Sequence, residues 1–317
     1  MGYDVYMFQR IMIGYEFSPE ASRALRCGLA LAARFRARAE VVHVVNGCVE
    51  GDVELTQRIE QHCDAAIASL PELAGLHVTY RVQIRHGIAA QELSDAAGEH
   101  EAHLLIIGSK PVERMHLGLS STLPRQLGLG TVAGRLVRIP SHTPLLLHRS
   151  DFDNLINRLL VAVNLDTASE QVLSNGFELA REFMSDLFVQ HVMAGSEKSG
   201  MGLGMLSMHN AWEQYRDETK AAFGEYLEKM SSTARNYPYD PVFTQGDTAE
   251  GIVNTARRIK ADMIVLGWRE PRGIGEMFLG TVAEQVALAS PANVLLFPVF
   301  VPQKQRVAQR APRTVTG

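Results

Sequence analysis

Four short runs in the chain are almost wholly apolar: LLIIG (104–108), PLLLH (144–148), MIVLG (263–267) and NVLLF (293–297). A strand that is apolar on both faces must be covered on both faces, which is the signature of a parallel sheet clothed by helices. Between such runs, apolar residues recur at helical spacing: Ala24, Leu25, Gly28, Leu29 and Ala32 in one segment, and Val172, Leu173, Phe177 and Ala180 in another. Each half of the chain therefore reads β-α-β-α-β-α-β-α-β, and the fold class is α/β, two doubly wound domains.

The pattern also repeats. RIMIGYEFSPEASRALRCGLALAARF near the start matches RLLVAVNLDTASEQVLSNGFELAREF from Arg158. VVHVV (41–45) matches LFVQHVM (187–193), RHGIAAQEL matches TQGDTAEGI, and EAHLLIIGS matches KADMIVLGW. Glu16 to Asn164 and His43 to His191 are both separated by 148 residues, whereas Gly87 to Gly246 and Gly108 to Gly267 are both separated by 159, so the second copy holds 11 extra residues between its second and third strands. The separation falls to 150 for Gly130 to Gly280, so the first copy holds 9 extra residues in the loop after LLIIG. A repeat of this length predicts domains at 1–150 and 151–301, joined near His148–Asn157, with 302–317 as a disordered basic tail.

Composition narrows the class. Of 317 residues, 46% are hydrophobic and 21% charged, enough to build a core in each of two domains. The net charge of -4 and pI near 6.3 give no electrostatic reason to expect nucleic acid or an anionic membrane as partner. No stretch approaches the roughly 18 apolar residues of a membrane span, and MGYDVYMFQR does not read as an export signal. Cys27, Cys48 and Cys63 are odd in number and lack metal-ligand spacing, which suits a reducing, cytoplasmic setting.

In a doubly wound sheet, ligands bind outside the carboxyl ends of the strands, where the strand order reverses, and phosphate favours a helix N-terminus. GWREPRGIGEMFLGTVAEQV (267–286) leaves a strand and opens a helix there. Gly267 lets the chain pass close to a ligand, and Gly280-Thr281 offers bare amides and a hydroxyl. Glycine after a strand and threonine at a cap are also ordinary structural devices.

His43 and His191 read as packed, hydrogen-bonded strand histidines. His100 and His103 read as surface helix histidines, because no third ligand is evident and HExxH is absent, so no metal site is expected. GMGLGMLSM reads as a mobile loop, or second as a Met-rich contact surface; LSSTLPRQL reads as a surface insertion, or second as a lid or partner surface. GxSxG, GxxxxGK[ST], HxGH and SGGxDS are all missing, and no catalytic residue is assigned.

Together the repeat, the glycine-framed loop and the HVV strand resemble the universal stress protein family, as a tandem covering about residues 9–149 and 157–300. The resemblance implies a five-stranded parallel sheet of the adenine-nucleotide alpha hydrolase-like kind in each domain. It also implies pairing through the last strands, so that PLLLH and NVLLF form a pseudo-dimer within one chain. In the family's ATP-binding branch the loop runs Gly, two residues, Gly, nine residues, Gly-Ser or Gly-Thr. Gly267 and Gly280-Thr281 keep that spacing, with Glu270 at the middle glycine and Arg269 and Arg272 beside it.

By the same resemblance, Ala162, Val163 and Asn164 form the adenosine-contacting segment, the backbone at Val192 meets the adenine ring, and Gly267, Arg269, Gly280, Thr281 and Val282 serve the phosphates. The matching positions of the first copy are Tyr15, Glu16, Val44, Gly108, Gly130 and Thr131, but Pro111 replaces a loop glycine, removing a backbone donor. The expected function is a stress-response binding module for an adenine nucleotide (ATP, ADP or AMP, with or without Mg) held mainly by the second domain. The alternatives are an interaction scaffold without nucleotide, favoured by Glu270, Pro111 and Glu16, and a slow ATP hydrolase using Glu270 as base. A homodimer of the tandem is also expected.

Overall fold

The computed structural model describes residues 7–46, 52–70, 78–110, 132–139, 141–149, 156–194, 205–233, 236–268 and 282–299. The first copy contributes β1 (Arg10–Gly14), α1 (Pro19–Arg34), β2 (Arg38–Val45), α2 (Asp52–Ala68), β3 (Tyr80–His86), α3 (Ala89–Glu99), β4 (Leu104–Gly108), α4 (Val132–Leu136) and β5 (Leu145–His148). The second repeats the order as β6 (Arg158–Ala162), α5 (Thr167–Phe183), β7 (Asp186–Ala194), α6 (Met205–Thr233), β8 (Asp240–Gly246), α7 (Thr248–Ile259), β9 (Met263–Trp268), α8 (Val282–Ala289) and β10 (Asn293–Pro298).

The strands form one ten-stranded sheet in the order β3-β2-β1-β4-β5-β10-β9-β6-β7-β8. Neighbours are parallel except at the centre, where β5 and β10 run antiparallel with Leu145, Leu146 and Leu147 opposite Leu296, Leu295 and Val294. Each half thus has five parallel strands whose order reverses between its first and fourth, and the expected pairing of PLLLH with NVLLF is the join. One face of the sheet is covered by α1, α2, α5 and α6, the other by α3, α4, α7 and α8, each over its own apolar cluster.

The copies share local devices. Ser18 and Asp166, 148 apart, cap α1 and α5 by accepting from Ala21 N at 3.0 Å and Ser169 N at 2.9 Å. Gly28 and Gly176 let these helices ride close on the first strand of each half, since an added Cβ would come within 2.4 Å of Ile13 and 2.5 Å of Val161. Every residue expected to face a core in α1 and α5 is buried.

Two expectations change. Met205–Met208 belong to the first turn of α6, not to a loop; the last glycine of the run is Gly204, and Met-Leu-Ser-Met holds no residue that breaks a helix. His103 lies outside α3, in the bend before β4, with its Nδ1 3.0 Å from Gln9 N, while His100 is the helix C-cap beside Glu40 at 3.5 Å. Among the described residues no group of three or more His, Cys, Asp or Glu could hold a metal, and no helix is long and apolar enough to cross a membrane. Cys27 and Cys63 are buried free thiols, the latter pushed up to about 12 by burial. The insertion LSSTLPRQL and the basic tail lie outside the described residues.

Side chains across the join are asymmetric. Arg149, just past β5, is buried and its guanidinium donates to the carbonyls of Ala287 and Ser290 at the end of α8. Burial pulls this guanidinium down to about 10, which still leaves it charged at neutral pH. Its backbone N–H donates to Asn293 Oδ1 at 2.8 Å. From the other side, Trp268 Nε1 donates to Val137 O at 2.8 Å, and Arg138 pairs with Glu284. On the opposite face, Arg34 bonds Glu182 at 3.0 Å and lies 4.6 Å over the ring of Phe183, which meets Phe35 edge-on. Replacing Arg149 by Met removes the donors from two buried carbonyls. Arg149→Met is expected to lower unfolding stability by about 2–4 kcal/mol, read by urea denaturation; a loss under about 0.5 kcal/mol would mean the carbonyls are otherwise satisfied.

Candidate functional site

At the strand-order reversal of the second half, β9, β6 and β7 lie side by side. Ala162 stands opposite Leu266 on one flank and Gln190 on the other, and Val163 N donates to Gln190 O at 2.9 Å. This register brings Ala162, Val163, Asn164, Val192 and Gly267 to the carboxyl ends of three neighbouring strands. Val282, the first residue of α8, is 38% exposed. Arg269, Gly280 and Thr281, and in the first half Gly130 and Thr131, lie outside the described residues.

Asn164 is exposed and tied to its own turn: its N–H donates to Ser169 Oγ at 3.0 Å and its Nδ2 to Asp166 Oδ2 at 3.2 Å. Its Oδ1 acceptor takes no part in either bond. The Val192 side chain turns to the far side of the sheet and packs over Gly251, leaving backbone as what this residue offers a ligand. Gly267 is confined by Val172 and Val299, each 3.3 Å from an added Cβ. Gly108, its counterpart, has a stricter structural reason: an added Cβ would lie 2.4 Å from the backbone of Glu20 in the first turn of α1.

Beside Asn164 lies a hollow of about 350 Å³ lined by Asn164, Leu165, His191, Tyr215, Glu218, Thr219 and Ala222. His191 Nδ1 stands 3.1 Å from Val163 O, so this nitrogen carries the proton and Nε2 is left as a bare acceptor. Burial lowers the His191 pKa and holds the ring neutral, while the ring clusters with Phe223 and Phe243 at 5.8 and 6.0 Å, the two phenylalanines themselves 6.3 Å apart. A larger hollow of about 460 Å³ lies at the opposite, amino ends of β1–β3, lined among others by Arg10, Glu40, Arg81 and His100. It is at the wrong edge of the sheet for the crevice that doubly wound folds use.

The first half closes the same region with its own side chains. Tyr15 is buried and its hydroxyl is 2.6 Å from His62 Nδ1; Glu16 is exposed and accepts from Ser18 Oγ at 3.2 Å; Val44 packs against the α3 side of the sheet. Phe17, at φ 61°, inserts its ring among Tyr15, His43 and His62 at 5.0, 5.3 and 5.4 Å, and the Arg58 guanidinium caps that ring at 4.7 Å. His43 keeps the strand-histidine bond, with Nδ1 2.7 Å from Tyr15 O.

The copy-to-copy match explains the difference. Phe17 corresponds to Leu165 at the same separation of 148. The buried positions Ile59, Cys63 and Ala66 of α2 match Phe223, Leu227 and Met230 of α6 in spacing, so Arg58 corresponds to Ala222. The two side chains that fill the first crevice are thus small in the second. Sequence reasoning singled out Asn164, read His191 only as a packed strand histidine, and passed over Leu165, Ala222, Tyr215, Glu218 and Thr219. The last four fall at i, i+3, i+4 and i+7 of α6, one helix face, and that spacing was the available signal.

Two doubly wound α/β halves joined through their last strands into one sheet, each with its strand-order reversal at the carboxyl ends, define the class. The sequence profile of the Universal stress protein family matches residues 7–147 and 156–298. The chain belongs to that family, as a tandem of two copies. It is 27% identical over 147 residues to universal stress protein YxiE of Bacillus subtilis, covering 45% of this chain and 99% of that one. It is 26% identical over 155 residues to universal stress protein MJ0531 of Methanocaldococcus jannaschii, covering 48% and 87%. In fold it resembles a universal stress protein of Archaeoglobus fulgidus at TM-score 0.57 and 18% identity, covering 91% of this chain and 98% of that one.

The neutral His191 carries a pH consequence. Its folded pKa lies below the ordinary 6.5, so the unfolded chain takes up a proton first and stability falls as pH drops from about 6.5 through the folded value. His191→Gln, which keeps a donor for Val163 O without titrating, is expected to lose less stability than wild type between pH 7 and pH 5 in denaturation series. Parallel curves would mean that the pKa of His191 is not lowered in the folded state.

Proposed function

We propose that the chain is a stress-response binding module that takes an adenine nucleotide (ATP, ADP or AMP), mainly in its second half, and that this role requires no turnover. The observation that carries the reading is the contrast between equivalent crevices: Phe17 and Arg58 fill one, while Leu165 and Ala222 leave the other open beside Asn164 and His191. The acceptors there suit the donors of a nucleoside, ribose hydroxyls to Asn164 Oδ1 among them. In this reading the phosphates run from Gly267 toward the start of α8; in sequence, Gly280, Thr281 and Val282 keep the family spacing and Arg269 adjoins Glu270. A bound nucleotide shifts the population of conformations and with it the surface offered to a partner protein.

A second reading, an interaction scaffold without nucleotide, is favoured by the filled first crevice. The readings part in a calorimetric titration of the full chain with ATP, ADP and AMP, with and without Mg. The nucleotide reading expects one equivalent bound, weakened about tenfold by Asn164→Ala and unchanged by Glu16→Ala. No heat at saturating nucleotide, or binding lost with Glu16→Ala, would contradict it.

A further inference from the structure

The hollow beside Asn164 is walled by α6, which extends further towards its N-terminus than the described part of α2. Aligning the buried positions of α2 and α6 places the start of α2, Asp52, at Arg216, so among the described residues the turns of α6 before Arg216 have no helical counterpart in the first half. From that extension Tyr215, 53% exposed, enters the hollow's lining, and the Trp212 ring stands 5.8 Å from its ring, centroid to centroid. One turn on, Glu218 lines the same hollow, its Oε1 accepting from Gln214 Nε2 at 2.8 Å and its second oxygen open to another donor.

Three features therefore meet: an aromatic face, an apolar floor of Leu165 and Ala222, and two acceptors, the Glu218 carboxylate and His191 Nε2. A flat ring bearing an amino group satisfies all three, and the hollow, about 350 Å³, lies at the small end of the range for ligand sites. A carboxylate in the wall repels phosphate and so sets the direction in which a nucleotide enters.

We propose that Tyr215 stacks on the base of a bound purine nucleotide and that Glu218 selects a base carrying an exocyclic amine, making this face of α6 the specificity wall of the site. The inference rests on nucleotide binding by the second half and adds residues that half's strand ends do not supply. It predicts a preference for ATP over ITP, whose base has an oxygen in place of the amine, because acceptor then faces acceptor.

The test titrates full-length wild type, Tyr215→Ala and Glu218→Gln with ATP, ITP, adenosine and inorganic tripolyphosphate, by calorimetry and by tryptophan emission. Of two tryptophans, Trp268 is buried and bonded to Val137 O, so Trp212 reports on the hollow. Wild type is expected to prefer ATP over ITP by about tenfold and to show quenching on adenosine. Tyr215→Ala weakens ATP and adenosine by about tenfold or more and leaves tripolyphosphate unchanged. Glu218→Gln narrows the preference for ATP over ITP. If wild type binds ATP while both variants bind ATP and ITP as wild type does, the wall plays no part and the inference falls alone. If wild type binds no ATP at saturation, nucleotide binding and this inference fall together.

Discussion

The antiparallel pairing of β5 with β10 is the contact on which the rest of the molecule depends. Each five-stranded half would otherwise end in a strand of buried leucines with a row of unpaired backbone groups, an open template for another chain. Joining the two edges covers both at once, and because the strands run antiparallel the halves are related by a local two-fold. Backbone symmetry then leaves side chains free to differ. Arg149 reaches from the first half to the end of α8, Trp268 reaches from the second to the end of α4, and neither device is repeated on the other side. Charge on Arg149 and the carbonyls at the C-terminus of α8 are complementary, so a group that is costly to bury serves as a cap for the neighbouring copy.

That freedom extends to the crevices. Both halves keep the strand histidine bonded to the carbonyl at the end of the first strand, and both keep a capped helix after it. What separates them is volume. Phe17 in a left-handed backbone conformation turns its ring inward against His43, and Arg58 lies over it. Leu165 and Ala222 carry too few atoms to do the same, and the space they leave is bounded by the extended α6. The first half gains packing where the second keeps an opening.

Most of the architecture was legible in the order of residues, because period and repetition survive substitution. Apolar runs such as LLIIG and MIVLG announce strands covered on both faces, and paired separations of 148 and 159 locate an insertion without coordinates. The site was less legible. Asn164 and Gly267 lie at strand ends, where doubly wound folds bind, but Tyr215 and Glu218 lie on a helix, Tyr215 on the turns of α6 that precede the match to the start of α2. The glycines of GMGLGMLSM drew attention to a loop and concealed that the helix begins at Met205. Arg149 sits in the polar stretch HRSDFDN, where a solvated charge is the ordinary expectation; its burial follows from the pairing of two edges distant in sequence.

The central claim is that two copies of one scaffold have been divided between packing and binding. A crystal structure of the full chain grown with a non-hydrolysable ATP analogue tests it most directly. The account predicts one nucleotide per chain, lying across the carboxyl ends of β6, β7 and β9, with the Phe17 ring still among Tyr15, His43 and His62. A nucleotide across β1, β2 and β4 with Phe17 displaced, or none at either crevice at saturating concentration, would contradict it.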